Sequence, residues 1–158
     1  MHRFQVYYNK LGLEKFDSEL VDDLIALLHR SETDMTIFFR RLASISEPTL
    51  SGLEDCFYDI EQAPKVEWQQ WLNTYLAVVS LNRKEGMNRV NPKYVLRNWM
   101  AQLAIDKAEA DDYSLLEELY QLLKNPYSEQ PEKEADWFVK RPEWARNRVG
   151  CSMLSCSS

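Results

Sequence analysis

Apolar residues recur at three- and four-residue intervals along most of the chain, and two-residue alternation is nowhere sustained, so the pattern predicts helices rather than strands. Only four glycines, Gly12, Gly52, Gly86 and Gly150, punctuate the 158 residues, which leaves long stretches free to stay helical. The first predicted helix runs from Phe4 to Leu11 and stops at Gly12, where a left-handed residue closes a helix without a Cβ clash. Asp17 and Ser18 offer capping oxygens ahead of Leu20, Val21, Leu24, Ile25, Leu27 and Leu28, one broad apolar face that ends near Arg30. Asp34 caps a third helix, which turns Phe38, Phe39, Leu42 and Ile45 inward, and Pro48 breaks the pattern.

A loop and short helix over 49–58 leads to Pro64, suited to the first turn of a longer helix. Trp68, Trp71, Leu72, Tyr75, Leu76 and Val79 line one face of that helix, and burial of such rings makes the stripe core rather than a ligand platform. Residues 82–86 read as a polar turn. Asn91-Pro92 then starts a helix that carries Tyr94, Val95, Trp99, Met100, Leu103 and Ala104 inward to about Ala110. Asp111-Asp112 interrupts it, and Ser114 with Glu117 forms a capping box for a helix over 115–124, stopped by Asn125-Pro126. Residues 128–134 read as an exposed loop, after which Trp137, Phe138 and Trp144 fold back onto the helical body. No repeat of fixed period is present, which argues against a solenoid. The expected architecture is all-α, an irregular domain of about six to seven helices over 1–145 followed by a flexible cysteine-containing tail over 146–158.

Composition narrows the function classes. The apolar fraction of 45% supplies one sizeable core, and the net charge of −6 argues against nucleic acid or an anionic membrane as partner. No apolar run approaches the ~20 residues that span a bilayer, and the N-terminus lacks a signal-peptide stretch, so a soluble, cytoplasmic protein is expected. Three cysteines, Cys56, Cys151 and Cys156, are too few for a secreted disulfide framework. Cys151 and Cys156 make no zinc site, because two further ligands are missing and the only histidines, His2 and His29, lie far off in sequence. No phosphate-cradling glycine loop, nucleophile elbow or zincin motif is present, so no catalytic, cofactor-binding or metal-ligating residue is assigned. The carboxylate pairs Asp22-Asp23, Asp111-Asp112 and Glu117-Glu118 fit solvated helix faces or caps, and His29 fits the negative end of a helix dipole. Lys93, Arg97 and Asn98 stand among strong apolar residues and are expected to form a buried polar network. The candidate chemistry that remains is redox, at Cys156, two residues from the end of the sequence, and at Cys151.

The segment Asn91-Pro-Lys-Tyr-Val-Leu-Arg-Asn-Trp-Met-Ala-Gln-Leu-Ala-Ile105 resembles the selenoprotein O family, the YdiU-type protein adenylyltransferases with a protein-kinase-like fold. The likeness extends through Lys10-Leu-Gly-Leu13, Thr33 to Arg40, Asp112-Tyr-Ser114, Pro126-Tyr127, Pro142-Glu-Trp144 and the Cys156-Ser-Ser158 ending. It implies transfer of AMP from ATP to Ser, Thr or Tyr hydroxyls of proteins, with magnesium or manganese. Family members are much longer, and their ATP- and metal-holding residues lie upstream of anything in this chain. The resemblance therefore implies the C-terminal part of such an enzyme, inactive alone, whose partners are an N-terminal kinase-like core and the enzyme's protein substrates. Helices that face that core are expected to leave an apolar patch able to drive dimerisation. Cys156 matches the family's terminal selenocysteine or cysteine, which implies a redox link to a cysteine near the catalytic cleft; pairing with Cys151, or an unpaired surface thiol, are the alternatives. A reading of another class stands beside this one: a free-standing helical module that binds a protein partner without catalysis.

Overall fold

The computed structural model of the protein describes residues 2–15 and 17–151, with backbone only for residues 2–5. The chain gathers into two compact units, Met1–Asn91 and Pro92–Ser158. Among the described residues there are eight α-helices and no strand; extended pairing is limited to the isolated bridges Leu13 with Val79 and Thr33 with Phe57.

The first unit holds α1 (His2–Leu11), α2 (Ser18–Arg30), α3 (Met35–Leu42), α4 (Lys65–Val78) and α5 (Arg83–Val90), with a 3-10 turn at Glu54–Cys56. Its helix boundaries follow local chemistry where a polar side chain is at hand. Gly12, at φ +64°, closes α1 in a Schellman arrangement, its N–H on Asn9 O at 3.2 Å and that of Leu13 on Tyr8 O at 3.2 Å. Asp17 accepts from Leu20 N at 3.0 Å to start α2, and Asp34 accepts from Ile37 N at 3.1 Å to start α3. Helix α2 packs on α4, while α1 packs on α2 and α5.

The aromatic stripe of α4 is the centre of this core, as its periodicity predicts. Trp68 and Tyr75 are fully buried, and Trp71 is buried beside them. Trp68 meets Phe38 and Phe57, each at 5.5 Å between ring centroids, and Trp71 stacks on Tyr75 at 5.0 Å with planes 9° apart. Each such pair is worth roughly 0.5–1.5 kcal/mol beyond the area it buries. The polar handles are also met: Trp68 Nε1 donates to Ser31 Oγ at 2.7 Å, Trp71 Nε1 to Leu20 O at 2.8 Å, and Tyr75 Oη to Leu11 O at 2.9 Å. Burial pushes the Tyr75 phenol up to about 12, so it stays a neutral donor at any ordinary pH.

The second unit holds α6 (Asn98–Ala108), α7 (Ser114–Leu123) and the one-turn α8 (Glu134–Trp137), with 3-10 turns at Pro131–Lys133 and Glu143–Ala145. Helices α6 and α7 pack together, and Trp137 folds back to stack on Trp99, centroids 5.9 Å apart. Phe138 closes on Tyr94 at 6.4 Å, whereas Trp144 stays half-exposed under the Arg148 guanidinium.

Three boundaries differ from the sequence pattern, the first two for long-range reasons and the third for a local one. The polar turn expected at 82–86 belongs in part to α5, because Arg83 and Met87, one turn apart, are both buried. Gly86 lies on the outer face of α5, where an added Cβ would meet nothing within 4 Å, so its helix penalty of about 1 kcal/mol is offset by that burial. The helix expected to start at Asn91-Pro92 starts only at Asn98. Asn91 turns its amide back to Lys10 O at 2.8 Å and Met87 O at 2.9 Å, while the N–H groups of Lys93 and Tyr94 both go to Pro126 O, which holds that stretch extended. The Ser114–Glu117 capping box does not form; Asp112 instead accepts from Ser114 N at 3.0 Å, and bonds from Ser114 hold its carboxyl down at about 2. Helices α5 and α8 raise the count above the six or seven expected.

Tyr75→Phe leaves the buried Leu11 carbonyl without its donor and should cost about 1–3 kcal/mol. Urea unfolding should show a lower midpoint at an unchanged slope. An unmoved midpoint would show that water serves this carbonyl equally well.

Candidate functional site

The polar cluster of Lys93, Arg97 and Asn98 is the natural place to look for chemistry, and the structure makes it a tie between segments. Lys93 is 4% exposed, and Arg97 is buried beside it. Lys93 Nζ donates to Glu129 O at 2.8 Å, Glu129 Oε2 at 3.0 Å and Glu134 Oε2 at 2.9 Å, so all three of its protons are used. The Phe138 ring, 5.3 Å away, and the Tyr94 ring, 5.7 Å away, cover it. Burial alone would lower its pKa, but the bonds to Glu134 and Glu129 outweigh that and raise it. A permanently charged ammonium with no spare proton neither attacks a substrate nor receives a phosphate. It pins the extended stretch 92–97 to the turn at 129–134.

The rest of this unit is built in the same way. Tyr94 Oη lies 3.0 Å from Glu129 O and 2.8 Å from Gln130 O, and Gln130 Nε2 donates to Leu122 O at 3.1 Å and Asn125 O at 2.9 Å at the end of α7. Glu118 accepts from Lys133 Nζ at 2.8 Å and Trp137 Nε1 at 3.0 Å, and those two bonds hold its carboxyl below the usual glutamate range. The partners Glu129, Glu134 and Lys133 sit in a stretch whose composition signals only a loop. No local pattern marks them.

The sulfur chemistry divides between described and undescribed residues. Cys156 lies outside the described residues. Cys151 is a free thiol, 5% exposed, with its N–H on Arg148 O at 3.0 Å. Its segment is held to α6 by Arg148, whose Nη2 stands 2.8 Å from both carboxylate oxygens of Asp106. Gln102 Nε2 supports the same carboxylate at 2.8 Å, and the two bonds keep it below the usual aspartate range. Cys56 is fully buried and its Sγ donates to Leu53 O.

A cleft of about 450 Å³ opens between α2 and α4 in the first unit. Asp17, Glu19, Asp23 and Glu67 line it against a single cation, Arg30, which Glu67 already engages at 3.0 Å. Its donor set does not fit a nucleotide, since four carboxylates would repel a triphosphate and no glycine-rich loop or basic cluster offsets them. Nor do these residues fit a cation: among the described residues no three His, Cys, Asp or Glu converge closely enough to share one. Among the described residues no helix is long and apolar enough to cross a membrane.

A family model described as Protein adenylyltransferase SelO matches residues 2–124. The protein nucleotidyltransferase YdiU of Flavobacterium johnsoniae is 48% identical over 171 residues, covering 98% of this chain and 33% of the relative. That of Aromatoleum aromaticum is 49% identical over 94% of this chain and 31% of the relative, and that of Rhodopirellula baltica 46% identical over 94% and 33%. These relatives are nucleotidyltransferases by name. The chain belongs to the SelO family of protein adenylyltransferases, and it spans about a third of the length of the curated relatives it matches.

Lys93→Met should cost about 1–3 kcal/mol in guanidinium unfolding, as its hydrogen bonds to charged groups are lost while the half-exposed carboxylates regain water. A change of a few tenths would mean the tie is dispensable. Glu118 has its pKa lowered by folding, so its contribution is complete above its ordinary value of 4.5 and fades as pH falls through the folded value. Glu118→Gln should therefore flatten the decline of Tm between pH 6 and 3, as followed by near-ultraviolet circular dichroism. Parallel curves for the two proteins would contradict this.

Proposed function

We propose that this chain is the C-terminal helical region of a cytoplasmic, ATP-dependent protein adenylyltransferase. The supporting observation is 46–49% identity, over nearly the whole chain, to proteins named as nucleotidyltransferases of which it spans about a third. In the reaction, a Ser, Thr or Tyr oxygen of a target protein bonds to the α-phosphorus of ATP. The bond to the bridging oxygen breaks, pyrophosphate leaves, and the hydroxyl proton passes to a base. The groups that hold ATP and magnesium or manganese belong to the kinase-like core rather than to these residues, and this region supports that core. Cys156 is the thiol we assign to redox regulation, with Cys151 as the second candidate. Joining Cys156 to another thiol releases two protons and two electrons, which a disulfide oxidant of the glutathione type takes up.

The outer face of α7 supports the docking role. Tyr113, Leu116 and Tyr120 recur one to two turns apart and are 58%, 53% and 60% exposed, while Leu119 and Leu122 fill the opposite face. Scattered apolar side chains are ordinary on a surface, but a stripe along one helix is what an intramolecular interface leaves when its cover is elsewhere. We assign this stripe to contact with the core.

A chimera of the Flavobacterium johnsoniae nucleotidyltransferase, carrying this chain in place of the matching third, should transfer labelled AMP from ATP to protein. The chain alone should give no heat with Mg-ATP in calorimetry. A folded but inactive chimera would favour the free-standing interaction module, and tight Mg-ATP binding by the chain alone would refute the division of labour. In sedimentation the isolated chain should dimerise with rising concentration, and Leu116→Glu with Tyr120→Glu should leave it monomeric; a wild-type chain that is monomeric throughout would remove the case for this stripe as an interface.

A further inference from the structure

The cleft between α2 and α4 has two unlike walls over an apolar floor. It follows α2 from the cap at Asp17 to Arg30, a rise of about 20 Å, and α4 from Glu67 to Thr74. The edges of the buried Leu20, Leu27 and Trp71 make the floor, and Ala26, small and exposed, narrows it little. On the α2 wall Asp17 is engaged as the helix cap, but Glu19 and Asp23 have no hydrogen-bond or ion-pair partner among the described residues. Carboxylates four residues apart on a helix repel, so α2 carries this pair against its own stability. Arg30, the one cation among the described residues of the lining, pairs with Glu67 at 3.0 Å and closes one end. A guanidinium is thus already seated on the rim there, while the other end has none. On the α4 wall the Gln70 side-chain amide has no partner among the described residues, and Thr74 Oγ1 donates to Gln70 O at 3.2 Å with its lone pairs still open.

We propose that this cleft docks an extended basic segment of a partner protein, about six residues long, with Arg or Lys at alternate positions. Glu19 and Asp23 stand about 6 Å apart along α2, and side chains on one face of an extended strand recur about every 6.6 Å. Carboxylates too dispersed to share one metal ion are met one by one by charges carried at intervals along a chain. The aliphatic stems of those side chains would lie on Leu20, Leu27 and Trp71 while their charged heads reach the rim. The Gln70 amide selects the class of ligand. It offers a donor and an acceptor together, which a peptide unit answers and a polyamine, with donors alone, does not. The net charge of −6 draws a basic segment towards the chain and makes the encounter salt-dependent. This inference goes beyond the adenylyltransferase reading and does not rest on it.

Calorimetry on the full chain at low ionic strength, with the end-blocked hexapeptide Arg-Ala-Arg-Ala-Arg-Ala as probe, tests the cleft. The hexapeptide Arg-Arg-Arg-Ala-Ala-Ala, with equal charge in the wrong spacing, and spermine should each bind about fivefold more weakly. Glu19→Gln and Asp23→Asn should each weaken the alternating peptide about fivefold. Asp22→Asn, which removes the same charge one residue away and outside the lining, should leave its affinity unchanged. Asp23→Asn should melt at or above the wild-type temperature, because its repulsion with Glu19 is relieved, so the lost affinity is not a lost fold. Equal affinity for the two peptides, or an equal loss in Asp22→Asn, would reduce the effect to attraction between net charges and overturn the proposal. Spermine bound as tightly as the alternating peptide would overturn the choice of occupant, and no binding of either peptide would overturn the site itself. No nucleotide enters the measurement, so its failure would leave the chimera result untouched.

Discussion

The last carbonyls of a helix have no partner within the helix, and when the end is buried a donor must come from elsewhere. In this protein that constraint is met again and again by side chains distant in sequence. Tyr75 on α4 serves Leu11 at the end of α1. Arg83 on α5 donates to Leu42 and Ile45 at the end of α3, its guanidinium lying 5.4 Å from the Tyr75 ring. Arg40 on α3 reaches Asn88 and Asn91 at the end of α5, and Asn91 returns to Lys10 and Met87. Gln130 does the same for α7. Aromatic packing supplies the bulk of the attraction, but these donors decide which helix ends where and against what.

That arrangement explains which parts of the fold were legible in the sequence. Caps made by a residue three positions away, such as Asp17 and Asp34, stand out locally, as does the Trp68, Trp71, Tyr75 stripe, because both are properties of one helix. Asn91-Pro92 carries the same local signature and misleads, since the Asn91 amide serves the helix before it and the N–H groups after it serve Pro126. Gly86 misleads in the opposite sense: glycine signals a turn, yet burial of Arg83 and Met87 outweighs it. The polar node was foreseen at Lys93 but not its partners, which lie 36 and 41 residues away in a stretch of loop composition. Cys151 was recognised as a thiol by type, while the tie of its segment to α6 joins Arg148 to Asp106, 42 residues apart, which no spacing rule connects.

The candidate site is a set of positioning devices, in a chain that spans about a third of the length of its relatives. Lys93 is saturated by hydrogen bonds, while Arg83 and Arg40 are turned to helix ends, Arg83 with its Nε left without an acceptor. Saturation suits a scaffold, because a group with no unused valence adds rigidity without offering a foothold to stray ligands. Apolar surface is left over on α7, where Leu116 and Tyr120 stay exposed.

The bond pair between Lys10 and Asn91 closes the first unit on itself, since those residues stand 81 positions apart and belong to its opening and closing segments. Trimming a few residues from either margin would therefore loosen the other margin too. Anyone seeking a smaller folding fragment should treat the stretch from α1 through Asn91 as indivisible. A permuted chain that joins those neighbouring extremities should keep the same interior.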